Sequence, residues 1–413
     1  MKYISFVIPT RNNLPFLKQA YNSIRDNIEL QHEIVMLDDA STDGTWKWMT
    51  EIYKKDKNVI IHKNYGPERL GHTILYDEGV KMCTNEIFSI FHADMVASPN
   101  YVINMIKHLE KGKVVSATRI EPPLHPPGPE KIVENLGMGV EEFDDKKFKN
   151  MVEKEEKWMD NKDKTTSGIF APWMMYKEDF ESIGGHDPLF APMELEDSDI
   201  FNRMYLKGYE LIQSRDAFVY HMTCRGSRFK DGLEIEAEIP LEDGTIWYKP
   251  KDSEEYTKLR TIKIREWLRK WGHMVQHDEL MMPKIPPKYD IGFQVMNTNI
   301  NFLRELEPWC SCIYLDGNSD AYIDEYIRLE QPNTLFDLTK RVKQYGADDV
   351  TKNHDIVVQF DAREFDNNAF QVINNMSEIL KDSGEVGTME YYIFRFFINS
   401  MKTYEKELVV CES

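Results

Sequence analysis

Cysteine is scarce in this 413-residue chain: Cys83, Cys224, Cys310, Cys312 and Cys411 are five, scattered and odd in number. That excludes a disulfide-built scaffold, and the single Cys310-Ser311-Cys312 spacing falls outside the usual zinc patterns. Long hydrophobic runs are also missing. None approaches the roughly 18 to 20 apolar residues of a membrane span, and Met1-Lys2-Tyr3-Ile4-Ser5-Phe6 enters a strand-like segment without the features of a secretory signal. A soluble, cytoplasmic protein is expected. Positive charge is in deficit, with 51 Lys+Arg against 70 Asp+Glu and a net charge of −19. Nucleic-acid coating needs a basic face that releases counterions, so no nucleic-acid partner is expected.

What is present is enough to bury a sizeable core: 41% of residues are hydrophobic and 12% aromatic. Bulk disorder is excluded, and the length suggests two domains. The first part of the chain alternates. Ile4-Ser5-Phe6-Val7-Ile8-Pro9 is a short β-branched run ending in a loop, and Leu17, Tyr21, Ile24 and Ile28 follow at helical spacing. Ile34-Val35-Met36-Leu37 is the next strand. It leads through Asp38-Asp39-Ala40-Ser41-Thr42-Asp43-Gly44 to a helix starting near Thr45 or Trp46. Val59-Ile60-Ile61, a helix from about Arg69 to Met82, and Ile87 to Phe91 continue the pattern. Near-continuous apolar strands separated by helices predict a parallel sheet covered on both faces.

Beyond Thr118 five prolines, from Pro122 to Pro129, forbid helix or central strand. A charged stretch from Glu141 to Lys164 carries Phe148, Met151, Glu155 and Trp158 at helical spacing and reads as a surface helix, with a substrate lid as the other reading. Regular patterning resumes from Ile169 to Cys224. Hairpin signals occupy Asp231 to Tyr256, including Glu242-Asp243-Gly244, and Pro283 to Pro287 reads as a linker. Short apolar runs alternate with helical segments from Tyr289 to Ser413. The expected organisation is therefore an α/β catalytic domain over 1–230, an extension and linker over 231–288, and a small α/β domain of unassigned role over 289–413. Most of the acidity lies after residue 230.

Ligands of parallel α/β sheets bind outside the carboxyl ends of the strands, beside helix N-termini. Pro9-Thr10-Arg11-Asn12-Asn13, Leu37-Asp38-Asp39-Ala40-Ser41 and Phe91-His92-Ala93-Asp94-Met95 occupy such ends. Farther on, Gly184-Gly185-His186-Asp187 precedes Glu194-Leu195-Glu196-Asp197-Ser198-Asp199, which begins a helix. Favourable interaction with the helix dipole stabilises such acidic groups by ~0.3 to 1 kcal/mol each, yet four carboxylates within six positions exceed what a cap needs.

Taken together, Ser5 to Asn12, Glu33 to Thr45, His92-x-Asp94, Gly184-Gly185-x-Asp187 and Glu196-Asp197 resemble the family 2 glycosyltransferases, over about residues 3–228. That resemblance implies a GT-A fold, a mostly parallel sheet covered by helices, followed here by the smaller domain. It also implies an inverting transfer of sugar from a nucleotide-diphosphate donor to the hydroxyl of a glycan or other acceptor, as in glycan biosynthesis. Pro9, Thr10, Arg11, Asn12, Asp38, Asp39, Arg69, His92, Ala93 and Asp94 are placed by it on the nucleotide sugar. Carboxylates suit ribose hydroxyls and base N–H groups. A divalent metal, Mn2+ or Mg2+, is implied on Asp94, one Asp of the family's Asp-x-Asp element being His92 here. His221, at a probable strand end, is either a further ligand or an ordinary histidine. Arg225, Arg228 and Lys230 either close over the diphosphate or form a solvated basic loop.

Single displacement needs a base beside the acceptor hydroxyl. The resemblance puts it in Glu196-Asp197, with Asp197 as base and Glu196 as the alternative. An ordinary Asp, with a pKa near ~3.9, is ionised at neutral pH without tuning. Gly185, Asp187 and Trp173 are assigned to the acceptor side, Trp173 being equally compatible with a core position. Glu266-Trp267-Leu268-Arg269-Lys270-Trp271 lacks the Gln of the Gln-x-x-Arg-Trp element of processive synthases, and a non-processive enzyme is expected. A glycan-binding or assembly protein with weakened catalysis is the alternative. A nucleotidylyltransferase would carry a Gly-rich loop after the first strand, and Thr10-Arg11-Asn12-Asn13-Leu14 has no glycine.

Overall fold

The computed structural model describes residues 3–159, 164–223, 228–229, 232–241, 244–317, 322–346 and 348–411. The chain divides into two compact units. One comprises residues 1–258, 277–283 and 410–413, and the other residues 259–276 and 284–409. The expected extension over 231–288 is thus shared between them, with 231–258 and 277–283 in the first unit and 259–276 and 284–288 in the second.

The first unit begins with β1 (Ile4–Thr10), α1 (Leu14–Asn27), β2 (His32–Asp39), α2 (Thr45–Lys55), β3 (Val59–Asn64), α3 (Gly71–Met82) and β4 (Ile87–Ile90). It continues through β5 (Met95–Ala97), α4 (Tyr101–Ile106), β6 (Lys113–Glu121), β7 (Lys131–Val133), α5 (Asp145–Met159), β8 (Thr165–Ser167), β9 (Trp173–Tyr176), α6 (Lys177–Ser182), α7 (Glu196–Lys207) and β10 (Glu210–His221). Strand order is β3-β2-β1-β4-β9-β6-β10-β5, with β7 on β6 and β8 on β10. β1, β2, β3 and β4 are mutually parallel, as are β6 and β10, while β9 inserts antiparallel between β4 and β6. Every residue of β1 and β2 is buried, which is why these strands read as apolar runs rather than alternations.

Helix starts follow the polar residues of the loops. Asp43 accepts hydrogen bonds from the backbone and hydroxyl of Thr45 and, through its other oxygen, from the Leu14 backbone, so one carboxylate anchors the starts of both α1 and α2. Burial opposes its charge, and these hydrogen bonds prevail, lowering its pKa. The hairpin expected after Asp231 is β11 (Ile235–Pro240) paired with β12 (Ile246–Pro250), followed by α8 (Glu254–Trp271).

The second unit contains α8 from Leu259 onward, then β13 (Ile291–Met296), α9 (Ile300–Leu306), β14 (Cys312–Leu315), α10 (Ile323–Glu330), α11 (Leu338–Arg341), β15 (Val342–Gln344), β16 (Ile356–Asp361), α12 (Asn367–Asn374), α13 (Met376–Ser383), β17 (Gly387–Tyr391) and β18 (Phe394–Ile398). Its six strands run β15-β14-β13-β16-β18-β17. The core gathers Phe293, Val295, Ile313, Tyr326, Val358, Phe360 and Leu380. The Glu266-to-Trp271 segment is structural here: Trp267 and Trp271 are buried and stacked, and Arg269 pairs with Glu266, Glu307 and Glu330. The expected α/β class, with a parallel-centred sheet in the first unit and a smaller α/β unit after it, is observed. Among the described residues no helix is long and apolar enough to cross a membrane.

Candidate active site

A cavity of about 310 Å³ opens at the carboxyl ends of β1, β2 and β4. Pro9, Thr10, Arg11, Asp39, Arg69, His92, Ala93, Asp94, Glu196, Asp197, His221 and Arg228 line it together with Asn13, His72, Leu75, Tyr76, His125, Phe170, Met193, Glu194 and Tyr256. Residues 9 and 256 thus share one wall system, and most of the strand-end residues singled out in the sequence converge there.

On the β1–β2 side, Asp39 is committed to the fold as well as to the cavity. Its carboxylate accepts from the backbone N–H groups of Leu70 and Gly71 and from the Asn64 amide, tying the start of α3 to the end of β2. Gly71 has φ +81, and a Cβ there would lie 2.0 Å from the Pro192 carbonyl oxygen, so only glycine lets α3 approach the segment before α7. Arg11 donates to the Asp39 carbonyl at 2.6 Å.

Two strand pairings assemble the opposite side. In β10–β5 His221 stands across from Met95, beside Asp94, and His221 Nε2 lies 3.5 Å from Asp94 Oδ1. His92 completes a group whose ligand atoms all lie within 4.8 Å of one another. Burial and the His221 charge push His92 down to about 3, so it is neutral with a lone pair available. Burial also opposes charge on His221, yet Asp94 and Glu121 outweigh it and raise His221 to about 9. Two imidazoles and one carboxylate are a ligand set that fits a divalent transition metal, whose binding would displace the His221 proton.

The acidic pair sits at the start of α7. Glu194 and Leu195 both have positive φ, 83° and 66°, a costly conformation for two successive non-glycine residues that turns the chain sharply into the helix. Tyr256 donates a short hydrogen bond to Glu194 there. Glu196 Oε1 lies 2.6 Å from His72 Nε2. Burial opposes the Glu196 charge, but His72 prevails and lowers its pKa. Asp197 behaves oppositely: burial first, and then the Glu196 charge, raise it from 3.8 to about 7. An untuned carboxylate, the sequence expectation, is therefore replaced by one poised near neutrality. Such a group combines availability as a base with real proton affinity.

Several assigned residues lie elsewhere. Trp173 is 1% exposed and packs edge-on against Phe88, so it is a core residue and offers no face to a sugar. Gly185, φ +69, serves close packing: a Cβ would lie 2.1 Å from Asp77 Oδ2, which with Oδ1 holds the His186 backbone and ring. Asp187 caps the short turn at Leu189 and is not a cavity residue. Asn12 points away from the cavity and accepts from the Thr42 backbone, while Asp38 is wholly buried and accepts from the Ser41 backbone. Arg225 and Lys230 lie outside the described residues. Sequence reasoning missed His72, Tyr76, His125, Phe170 and Tyr256. His72 alone had a local signal, its place in the first turn of a helix that follows a strand end.

Residues 5–184 match the model of glycosyl transferase family 2. Among curated proteins the chain is 25% identical over 114 residues to a dolichol-phosphate mannosyltransferase of Pyrococcus furiosus, covering 27% of this chain and 32% of that protein. It is 28% identical over 117 residues to a dolichyl N-acetyl-alpha-D-glucosaminyl phosphate 3-beta-D-2,3-diacetamido-2,3-dideoxy-beta-D-glucuronosyltransferase of Methanococcus voltae, covering 27% and 36%. The chain thus spans about a third of the length of these relatives. Among solved structures it is similar to a mannosyltransferase from Pyrobaculum calidifontis in complex with GDP-Man and Mn2+, at 20% identity and TM-score 0.39, covering 54% of this chain and 57% of that one. It is also similar to GalNAc-T7 with UDP, GalNAc and Mn2+, at 14% identity and TM-score 0.41, covering 54% and 44%.

Proposed function

From the premise that residues 5–184 belong to the family 2 glycosyltransferases, we propose that this protein transfers a sugar from a nucleoside-diphosphate donor to an acceptor hydroxyl, with inversion and without processivity. One observation carries the reading: a metal-type cluster of His92, Asp94 and His221 and a carboxylate poised near pH 7 line the same cavity.

In this reading Thr10, Arg11, Asp39 and Arg69 receive the nucleotide. Arg11 and Arg69 offer guanidinium groups to phosphate oxygens, where planar donors are most effective. His92, Asp94 and His221 would hold a divalent cation, Mn2+ in preference to Mg2+ because two of the three ligands are imidazoles. When bound, such a cation supplies positive charge to the departing diphosphate. Asp197 takes the proton of the attacking acceptor hydroxyl as its oxygen bonds to the anomeric carbon and the bond to the nucleoside diphosphate breaks. Glu196 stays ionised against His72 and acts on Asp197 through its charge. The acceptor is a glycan or another hydroxyl-bearing molecule. A binding protein with weakened catalysis is not favoured, because a tuned base has no use in binding alone. Calorimetric titration of a panel of nucleotide sugars with Mn2+, followed by mass spectrometry of acceptor mixtures, tests the proposal. Uptake of one donor with release of its nucleoside diphosphate is expected, whereas no binding by any donor would refute it.

A further inference from the structure

Three adjacent strands bring Glu121, His221 and Asp94 into a row, and of these only Glu121 lies outside the cavity lining. β6 and β10 run parallel with Ile120 opposite Tyr220, so the next residues, Glu121 and His221, are neighbours, and β10 pairs on its other edge with β5 next to Asp94. His221 Nδ1 donates to Glu121 Oε1 at 2.9 Å, leaving Nε2 facing Asp94. Glu121 is 1% exposed and lines no part of the cavity. Arg119 reaches it at 3.3 Å and Lys131, from β7, at 3.4 Å. Burial opposes its charge, but Arg119 and then His221 hold its carboxyl well below the usual range.

We propose that Glu121 is the positioning residue for the metal: it fixes the His221 ring with the proton on Nδ1, so that Nε2 is presented beside Asp94 and His92. This rests on the reading that these three residues hold a divalent cation. A carboxylate on the far nitrogen of a ligating histidine fixes tautomer and orientation and raises the basicity of the coordinating nitrogen, and its loss typically weakens metal binding about 10- to 100-fold. Arg119 on Oε1 and Lys131 on Oε2 hold the buried carboxylate from two sides, and the same Oε1 meets His221 Nδ1.

The test reads metal uptake rather than turnover. Mn2+ is titrated into the full-length protein and free Mn2+ is followed by electron paramagnetic resonance for wild type, Glu121→Gln and His221→Ala. The expected result is an affinity reduced about 10- to 100-fold in Glu121→Gln, in a protein that is folded but melts lower without metal, because Arg119 and Lys131 lose a buried counter-charge. Equal Mn2+ affinity in wild type and Glu121→Gln overturns the proposal. Should that variant not fold, long-range proton–nitrogen spectra of the wild-type protein loaded with Zn2+ decide. A proton on Nδ1 of His221 supports the assignment, and a proton on Nε2 overturns it. Wild type and His221→Ala binding Mn2+ equally would instead remove the metal reading on which the proposal stands.

Discussion

Removing the charge of Glu196 while keeping its shape should let the proposed sugar transfer run at lower pH. Asp197 is displaced upward from 3.8 to about 7, roughly three pH units or about 4 kcal/mol at ~1.36 kcal/mol per unit. Burial is the larger cause and persists in Glu196→Gln. The Glu196 charge is the next cause and disappears; the opposing His72 charge weakens with it, because burial disfavours that charge and Glu196 supports it, while His186 remains. Glu194 still raises it. The half-ionisation point is therefore expected to fall by about one unit. At pH 6 the ionised fraction of Asp197 would rise from about one-tenth to about one-half, and the ratio of kcat/KM at pH 6 to that at pH 8 would rise roughly fivefold. Initial rates between pH 5.5 and 9, with a donor identified by calorimetry, measure it. An acid limb that stays in place, or moves to higher pH, refutes the account of how Asp197 is tuned.

Other consequences concern stability. A carboxyl whose folded pKa is raised favours folding below its unfolded value, and that contribution is lost as pH rises from about 4 through about 7. Asp197→Asn should therefore be more stable than wild type at pH 8, by about 1 to 2 kcal/mol after allowance for solvent screening, with the advantage vanishing near pH 4, as thermal melts at the two pH values will show. Trp173→Ala should cost about 3 to 5 kcal/mol in chemical unfolding, and a variant of normal stability with only a raised acceptor KM would restore Trp173 to the acceptor side. Gly185→Ala should lose about 1 to 3 kcal/mol, because it strains a left-handed residue and displaces Asp77 from His186. An unchanged melting temperature would contradict that packing role.

The strand ends were legible because in a parallel α/β sheet the apolar run stops where the polar loop begins. Pro9, Asp39 and Asp94 could be placed at one rim without knowing any side-chain orientation. Local spacing also carried the helix starts at Thr45 and near Arg69, and the hairpin after Asp231. What sequence could not carry was direction and long-range contact. Trp173 lies on β9, which inserts antiparallel into the middle of the sheet, and no periodicity distinguishes that from a loop beside the cavity. Asp38 and Asp39 are adjacent, yet strand alternation sends them to different environments, one into the interior and the other to the rim. The neutral-range pKa of Asp197 comes from its burial and from the charge of Glu196, which is kept ionised by His72, 124 residues before it in the chain. The same holds for Glu121, whose role depends on the register of β6 with β10.

In the proposed reading Asp197 takes a proton in a cavity that binds a nucleotide sugar, and a single variant separates the two roles. Donor affinity and the yield of glycosylated acceptor are measured for wild type and Asp197→Asn in the same Mn2+-containing buffer. The prediction is equal donor affinity, with product formed by wild type and lost in the variant. Product at near wild-type rate from Asp197→Asn would contradict it.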